Sequence, residues 1–364
     1  MINYLIIIPV HNEEKFLEKT IKNLLVLNYN KELFKITFIL DNCHDKSLDI
    51  IKKYNLFYIE KNDNELKGKS YALKWLINNY YEIDKFSKIV ILDCDSIIDK
   101  NFLKVITYNT KNKILQGFVN PLFNKKSIIS SLSAYSEIIS QKLKDSIKSK
   151  LNWNVILRGT GMIIDKDLFK RYISQCKTQI EDTELSILLI KDGYKIKFIP
   201  EAIVYDPKPL NIKQVSNQRA RWFYGQFQII RYYWKDLIKI AFSNIGNSIF
   251  VLDIIFKPKT LIFLIKFIFL LFFILTNLKF KTFFILALSI IIFVDILFFL
   301  IGGLFIEDKK HYYKTLIFSP IYIIIWFISI IKMMLVKNKI WLKARWIYEY
   351  IIPIYGKMEK CKLD

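Results

Sequence analysis

The chain of 364 residues is long enough for one large domain with a membrane section, or for two ordinary domains. Apolar residues make up 53% of it and aromatic residues 16%, yet 24% are charged, which excludes a chain embedded in lipid throughout and predicts separate charged and lipid-embedded parts. The formal net charge of +22 indicates either a polyanionic partner, above all anionic lipid headgroups, or a general habit of lysine-rich composition.

The cysteine pattern argues against a metal or disulfide framework. No CxxC pair and no histidine cluster accompany the four cysteines, which are Cys43, Cys94, Cys176 and Cys361. A zinc site or disulfide framework is therefore not expected, and the soluble part is predicted to face a reducing compartment. The first apolar run, Leu5 to Val10, is short and lacks a basic segment before it, so it predicts a buried strand rather than a signal peptide. Lysines are spread along the chain without a recognisable nucleic-acid motif, so no nucleic-acid partner is expected.

Short apolar runs alternate with helical patterns over the first 200 residues. Strands are predicted at Tyr4–Pro9, Ile36–Asp41, Leu56–Glu60 and Lys88–Asp93. Helices are predicted at Glu13–Leu27, Ser47–Tyr54 and Ser70–Tyr81. This alternation predicts an α/β domain with a mainly parallel sheet. Ligands of such sheets bind at the carboxyl ends of the strands, and polar residues follow three strands here, at 11–13, 41–45 and 93–95.

The chain changes character beyond residue 210. A basic, aromatic stretch at Gln214–Trp234 predicts an interfacial helix. Three apolar runs follow near 260–277, 282–306 and 315–336, each long enough to span a bilayer core, which takes about 20 residues. The shorter stretch 245–256 carries Asp253 and predicts an amphipathic lead-in, a re-entrant piece or a fourth span. Asp295, inside an apolar run, is costly in lipid and is expected to face a partner or the interior of the chain.

These changes predict four divisions of the chain. They are an α/β domain at 1–213, a basic aromatic interfacial region at 214–256, about three transmembrane helices at 257–336 and a basic interfacial tail at 337–364.

Acidic residues follow two of the predicted strands. Asp93 and Asp95 stand one residue apart, and at a strand end such a pair can share a divalent cation that binds a diphosphate. The alternative is a solvated turn in which Asp95 caps the next helix. Asp41 ends an earlier strand, where it could accept a hydrogen bond from a base or ribose, or form an Asx-turn.

Lysine and glycine stand where the backbone could approach a phosphate. In Lys67-Gly68-Lys69-Ser70, a lysine can meet phosphate at the N-terminus of the following helix. The segment lacks the glycine spacing of a P-loop, which disfavours a nucleotide triphosphatase. Farther along, Gly159 and Gly161 flank Thr160 and let the backbone pass close to a ligand, or form a tight turn.

Two further segments carry charge that catalysis could use. Glu181, Asp182 and Glu184 begin an apolar helix, where they can compensate its dipole or supply a general base for an acceptor hydroxyl. In Gln218–Trp222, arginine can neutralise a departing diphosphate and Trp222 can stack on a sugar, or both can anchor the chain at a membrane surface.

Taken in order, these segments resemble glycosyltransferase family 2. The residues Ile-Pro-Val-His-Asn-Glu-Glu at 8–14 are similar to the family's opening strand and loop, and the resemblance covers residues 3–235. The later matching positions are Asp41, Lys67–Leu73, Asp93 and Asp95, Arg158–Met162, Glu181 and Asp182, and Gln218, Arg221 and Trp222. The trailing apolar runs are similar to the membrane-integrated branch, which includes cellulose, hyaluronan and exopolysaccharide synthases.

The resemblance implies a GT-A (Rossmann-like) nucleotide-sugar domain followed by C-terminal transmembrane helices, with Mg²⁺ or Mn²⁺ as cofactor. It implies that Asp182 is the catalytic base, beside Glu181, and that Asp95 and Asp93 hold the metal. The implied donor contacts are Pro9, Glu13, Asp41, Lys69, Asp93 and Asp95. The implied contacts to diphosphate and acceptor are Gly159, Thr160, Gly161, Gln218, Arg221 and Trp222.

The implied function is inverting transfer of a sugar from a nucleotide-diphosphate donor, expected to be a UDP-sugar, to a growing polysaccharide or glycan. The protein is expected in a bacterial plasma membrane with its catalytic domain in the cytoplasm, and polymer export is expected to need partner subunits. The alternative is single-sugar transfer to a lipid acceptor of the ceramide or polyprenyl-phosphate type. A non-catalytic membrane scaffold is disfavoured because all the implied acids are present.

Overall fold

The computed structural model describes residues 2–63, 68–257 and 259–335. Lys67 and the predicted tail at 337–364 lie outside the described residues. The strands are β1 (Tyr4–Val10), β2 (Phe34–Asp41), β3 (Tyr58–Lys61), β4 (Lys88–Ile91), β5 (Ile97–Ile98), β6 (Ile114–Leu122), β7 (Met162–Asp165) and β8 (Ile196–Pro207). The helices are α1 (Glu14–Leu25), α2 (Ser47–Lys53), α3 (Lys69–Asn79), α4 (Phe102–Thr107), α5 (Ile128–Ile139), α6 (Ser146–Lys150), α7 (Lys166–Ile173), α8 (Glu181–Lys191), α9 (Ile212–Ala241), α10 (Ile245–Ile255), α11 (Lys259–Leu275), α12 (Lys281–Gly302), α13 (Lys309–Leu316) and α14 (Ile321–Leu335). A π-helical segment, Ser140–Asp145, joins α5 to α6.

The eight described strands form one sheet in the order β3-β2-β1-β4-β7-β6-β8-β5. Strands β1 to β4 pair in parallel, as predicted, so their carboxyl ends share one edge of the sheet. The second half is mixed, because β7 runs antiparallel to both β4 and β6 whereas β6 and β8 are parallel. The reversal at β7 places the segment before Met162 beside the residues that follow Ile91.

Apolar residues cover both faces of the sheet. In β1, Leu5 and Ile7 join one buried cluster while Ile6 and Ile8 join another, because alternate side chains of a strand point to opposite faces. Strand β1 therefore lies at the centre of a three-layer arrangement with helices on each side. This burial fixes the strands firmly and leaves the loops at their carboxyl ends to carry polar residues.

The C-terminal helices differ from the predicted spans in length and continuity. Within the described residues, one helical stretch, Lys281–Phe305, is by itself long and apolar enough to cross a membrane. The run predicted at 315–336 is broken, since α13 and α14 meet at a bend of 62°. Pro320 immediately precedes α14 and lacks the amide hydrogen that a continuous helix would use.

A second bend affects the other predicted spans. Helix α10 and residues Thr260–Leu275 meet at 90°. If each bent pair crosses as one span, the described chain has up to three spans, and α10 is part of one of them rather than a fourth. The expectation for Asp295 is confirmed, because its carboxylate on α12 pairs with Lys266 Nζ on α11 at 2.6 Å. Pairing lowers the cost of placing either charge in an apolar setting.

Candidate active site

Asp41 ends β2 and is held by protein groups on both carboxylate oxygens. Its Oδ1 accepts hydrogen bonds from Lys61 Nζ at 3.0 Å and from Asn42 Nδ2 at 2.9 Å. Its Oδ2 accepts one from the amide of Gly68 at 2.9 Å. Lys61 is 1% exposed and Asp41 2%, so this ion pair is buried. Asp41 thus fixes the start of α3, directly before Lys69.

Lys69 ties three parts of the site together from the first turn of α3. Its Nζ lies 2.5 Å from Asp93 Oδ1 and 3.6 Å from Glu181 Oε1. It also donates a hydrogen bond to the carbonyl of Gly159 at 2.7 Å. Burial opposes the charged form of Lys69, but the carboxylates of Asp93 and Glu181 outweigh it and raise the pKa of this ammonium.

The Gly159–Gly161 segment lies beside Asp93, as the antiparallel pairing of β4 and β7 requires. Thr160 Oγ1 accepts a hydrogen bond from the amide of Asp93 at 3.2 Å and donates one to Ser96 Oγ at 3.0 Å. The carbonyl of Gly161 accepts a hydrogen bond from the amide of Gly117 at 2.9 Å. These bonds fix the loop after β4 to the loop before β7.

Gly159 marks the point where the side chains of Asp182, Lys69 and Asp93 converge. Its φ of +81° is in the left-handed region that favours glycine. A Cβ built there would lie 3.5 Å from Asp182 Oδ2, 3.7 Å from Lys69 Nζ and 3.9 Å from Asp93 Oδ2. The segments before β7, at the start of α8 and at the start of α3 therefore border one small space.

The acids of α8 stand at its N-terminus. Asp182 Oδ1 accepts a hydrogen bond from the amide of Thr183 at 2.6 Å. Burial raises the pKa of Asp182, while the Thr183 amide and Lys69 act in the opposite direction. Burial also raises the pKa of Glu181 to about 7; Lys69 opposes the rise and the neighbouring Asp182 adds to it. Both acids are thereby brought closer to the range in which a carboxylate can take up a proton at neutral pH.

A second group of acids surrounds Asp95 at the same edge of the sheet. Burial raises the pKa of Asp95 well above its usual range, and the charges of Asp206, Asp93 and Glu13 raise it further. Asp206 is the next-to-last residue of β8, and its Oδ2 accepts a hydrogen bond from Lys208 Nζ at 2.6 Å. The repulsion among these carboxylates would be relieved by a divalent cation.

The donor set at Asp93 and Asp95 fits a cation that a substrate completes. Among the described residues, no group of three or more His, Cys, Asp or Glu side chains could hold a metal ion by itself. Mg²⁺ is commonly bound through one or two carboxylates together with substrate phosphates, and Mn²⁺ accepts similar oxygen ligands. The two carboxylates therefore suit a metal whose remaining ligands come from a diphosphate and water.

Gln218, Arg221 and Trp222 follow one face of the long helix α9. Gly225 belongs to that face at helical spacing. A Cβ built at Gly225 would lie 2.6 Å from Ile180 Cγ2, so only a glycine lets α9 approach the residue that precedes α8 this closely. Trp222 is 45% exposed. The face therefore points toward the N-terminus of α8 and leaves an exposed aromatic side chain beside it.

The two candidate donor contacts near the N-terminus, Pro9 and Glu13, lie in different places. Pro9 lies inside β1 in register with Ile39, and Glu13 directly precedes α1, where its amide donates a hydrogen bond to Ser47 Oγ at 3.0 Å. The charge of Glu13 acts on Asp95, since it contributes to the raised pKa of that carboxyl group. Nucleoside contacts of Pro9, Glu13 and Asp41 stay predictions.

Two residues at the site, Lys61 and Asp206, were not selected from the sequence. Lys61 ends β3 and Asp206 is the next-to-last residue of β8, at or near the edge that carries Asp41 and Asp93, so the same strand-end rule applied to these strands would have found them. Glu184, predicted together with Glu181 and Asp182, has a separate role. It is fully buried, and its carboxylate accepts hydrogen bonds from Tyr233 Oη at 2.6 Å and from the amides of Lys177 and Thr178 at 2.6 and 2.7 Å.

Comparison with known proteins agrees with this geometry. Residues 88–335 match the family described as "Glycosyl transferase family group 2", and residues 5–157 match "Glycosyl transferase family 2". A probable glycosyltransferase, YdaM, of Bacillus subtilis is 26% identical over 67% of this chain and 60% of its own length. The poly-beta-1,6-N-acetyl-D-glucosamine synthase of Staphylococcus aureus is 25% identical over 62% of this chain and 54% of its own length. The chain thus spans somewhat more than half the length of these relatives.

A solved structure shares the fold. The mannosyltransferase PcManGT from Pyrobaculum calidifontis, in complex with GDP-Man and Mn2+, aligns with a TM-score of 0.52 at 11% identity. The alignment covers 92% of this chain and 88% of that one. The GT-A fold predicted from the motif order is therefore confirmed.

Proposed function

Since the chain belongs to glycosyl transferase family group 2 and is a glycosyltransferase, we propose that it moves a sugar from a nucleotide-diphosphate donor to a growing glycan, with inversion at the anomeric carbon. The observation that carries this proposal is the convergence of Asp182, Lys69 and Asp93 within 4 Å of one point at Gly159. A UDP-sugar is the donor that the family resemblance implies. The relatives named as poly-beta-1,6-N-acetyl-D-glucosamine synthases support a polysaccharide product.

Asp182 is the proposed general base. Its carboxylate takes the proton of the acceptor hydroxyl while the hydroxyl oxygen forms a bond to the anomeric carbon and the bond from that carbon to the diphosphate breaks. Burial of Asp182 favours uptake of that proton, because it raises the pKa of the carboxyl group. Correct positioning of the acceptor against this base supplies much of the rate enhancement.

The leaving diphosphate meets positive charge on the other side of the site. Lys69 lies within reach of both Asp93 and the Gly159 carbonyl, so it can exchange these partners for a phosphate oxygen. Arg221 and Trp222 are proposed to close over the diphosphate and acceptor from α9. Asp95 and Asp93 would hold Mg²⁺ or Mn²⁺, which when bound neutralises charge on the diphosphate.

The apolar helices are proposed to anchor this enzyme in a bacterial plasma membrane, with the domain of residues 1–213 in the cytoplasm. Helix α12 supplies the longest apolar stretch. Helix α9 presents several large apolar side chains to its surroundings, which suits the proposed interfacial region at 214–256. They are Trp222, Phe227, Ile230, Tyr232, Trp234 and Ile238. The proposed membrane region is 257–336, and partner subunits are proposed to export the polymer.

The test is nucleotide release by the detergent-purified full chain against UDP-, GDP- and dTDP-sugars, with Mg²⁺, Mn²⁺ or EDTA. Metal-dependent release from one donor is the expected result. Asp182→Asn should lower the transfer rate by about 10²–10⁴-fold, the usual contribution of a general base, while calorimetric donor affinity is retained. Unchanged turnover in that variant would refute the assignment of Asp182.

Product length distinguishes polymer synthesis from the alternative acceptor. A ladder of products supports repeated addition to a glycan. A single addition to a lipid acceptor would replace the polysaccharide proposal while leaving the catalytic roles in place. Anomeric analysis of the product by nuclear magnetic resonance tests inversion directly.

A further inference from the structure

Arg219 lies within the Gln218–Trp222 segment yet faces away from the exposed surface. It is 8% exposed, and its guanidinium carbon lies 4.0 Å from the ring centroid of Tyr322 and 4.2 Å from that of Trp326. Both rings belong to α14. A cation enclosed between two aromatic rings gains from the negative faces of both.

The rings of Tyr322 and Trp326 flank the guanidinium of Arg219, in the place where a carboxylate usually compensates a buried arginine. Burial lowers the pKa of Arg219 to about 10, and the electrostatic influence of Tyr322 opposes this decrease. Nη1 of Arg219 is buried and has no hydrogen-bond partner among the described residues. A buried guanidinium is costly unless neighbouring groups compensate its charge, and the faces of the Tyr322 and Trp326 rings do so here. Its burial therefore depends on the position of α14 against α9.

Further contacts join α14 to α9 and to the α/β domain. Lys332 Nζ donates hydrogen bonds to Ser216 Oγ and Asn217 Oδ1, both at 2.7 Å. The hydroxyl of Tyr322 lies 2.5 Å from Ser133 Oγ and donates to the carbonyl of Ile129 at 2.9 Å. Helix α14 thus contacts α5 of the domain as well as α9.

Helix α9 continues from this contact to the proposed base. Gly225 packs on Ile180, next to Glu181 and Asp182. Two turns later, Tyr233 donates its hydrogen bond to Glu184 of α8. The position of α9 is therefore fixed by α14 at one end and by α8 farther along, with Arg221 and Trp222 in between.

We propose that Arg219, held between Tyr322 and Trp326, is a positioning residue through which the apolar helix α14 sets the placement of Arg221 and Trp222 over the reaction site. We call these three residues the Arg219 clasp. The inference rests on the proposed function in one respect, namely that Arg221 and Trp222 act on the diphosphate and acceptor. Arg219 itself is assigned no contact with the diphosphate or the acceptor.

The first arm of the test is kinetic. Arg219→Met and Trp326→Leu are compared with Arg171→Met and Tyr108→Leu, which alter exposed residues of the α/β domain. We expect Trp326→Leu to lower kcat about tenfold, the effect of losing one desolvated cation–π contact, and Arg219→Met, which loses both contacts, to lower it at least as much. Donor Kd should stay within about twofold of wild type. The exposed-residue controls should keep wild-type kcat.

The second arm measures the α9–α14 contact without using activity. Ser216→Cys places a thiol at a fully buried position beside Lys332. Its reaction rate with N-ethylmaleimide is measured by peptide mass spectrometry in full-length protein, alone and combined with Arg219→Met. The native thiol of Cys176, fully buried at the end of α7, serves as the internal control for general unfolding. We expect the combined variant to react faster at position 216 while Cys176 stays protected.

Each outcome decides between the alternatives. Wild-type kcat in Arg219→Met, or unchanged thiol reactivity at position 216, would overturn the clasp. Joint loss of donor binding and of Cys176 protection would overturn it too, because Arg219 would then be a general folding requirement. If the wild-type chain released no nucleotide from any donor, the proposed function would fall, and the thiol arm would still decide whether Arg219 holds α9 to α14.

Discussion

Replacing Gly159 by alanine tests whether the space bordered by Lys69, Asp93 and Asp182 is the reaction site. The chain offers a matched control in Gly193, which follows α8. The two glycines have nearly the same φ, +81° and +82°. A Cβ at Gly193 would meet nothing within 4 Å, whereas a Cβ at Gly159 would meet all three reactive groups.

The two substitutions should cost the same stability. An L residue in the left-handed region loses about 1–2 kcal/mol relative to glycine, and this cost is set by the backbone alone. At Gly159 the nearest atoms lie at 3.5–3.9 Å, which is ordinary van der Waals contact, so the new methyl group adds no clash in the protein without substrate. It would fill part of the space proposed for the donor. A displacement of about 1 Å can cost about 100-fold in rate, which is the loss we expect for Gly159→Ala.

The assay compares both variants with wild type in chemical unfolding, donor calorimetry and nucleotide release, all in the same detergent. Equal losses of unfolding free energy with activity lost in Gly159→Ala alone would support the assigned space. Equal losses of activity in both variants would show that backbone strain, and not occupation of the site, accounts for the effect. Full activity in Gly159→Ala would refute the site as described.

Three further predictions follow from the charged groups. Burial raises the pKa of Glu181 from 4.5 to about 7, so the folded chain binds the carboxyl proton more tightly than the unfolded chain does, and the unfolding free energy should fall as pH rises from about 4.5 to about 7. Glu181→Gln should flatten the slope of unfolding midpoints against pH. Lys61→Met leaves the Asp41 carboxylate without its buried partner and should lower the unfolding free energy in urea by about 3–5 kcal/mol. Lys53→Met, at the exposed Glu18 pair, should leave the unfolding free energy nearly unchanged because solvent screens that pair. With UDP present, Mn²⁺ at about 100 times its Kd should raise the unfolding free energy by about 2.7 kcal/mol, and EDTA should reverse this gain. Asp95→Asn should remove the gain and Asp206→Asn should reduce it.

The parallel half of the sheet could be predicted because each strand there carries its own signal. Continuous apolar runs ending in polar residues fixed strands β1, β2 and β4 closely, and the shared direction of these strands put Asp41 and Asp93 at one edge. The acids at the start of α8 follow the same logic, since a run of carboxylates before an apolar helix marks its N-terminus. Local pattern and tertiary position agree in this half.

The remaining features depend on contacts that one sequence does not encode locally. The antiparallel course of β7 brings Thr160 to Asp93, a pairing across 67 residues that no spacing rule predicts. Lys61 reads as an ordinary charged residue at the end of a strand until its partner Asp41 is seen to be buried. The bend before α14 was missed because hydropathy alone does not register the break at Pro320.

The carboxylates at this edge of the sheet are compensated to different degrees on the two sides of the site. Lys69 stands between Asp93 and Glu181, so its ammonium compensates the acids on the α8 side. On the Asp95 side, the buried Lys208 pairs with Asp206, yet the charges of Asp206, Asp93 and Glu13 still raise the pKa of Asp95. A diphosphate would add further negative charge there, and a cation bound with it would offset that repulsion. The proposed metal at Asp93 and Asp95 and the ammonium of Lys69 would therefore both offset the same concentration of carboxylates at the edge of the sheet.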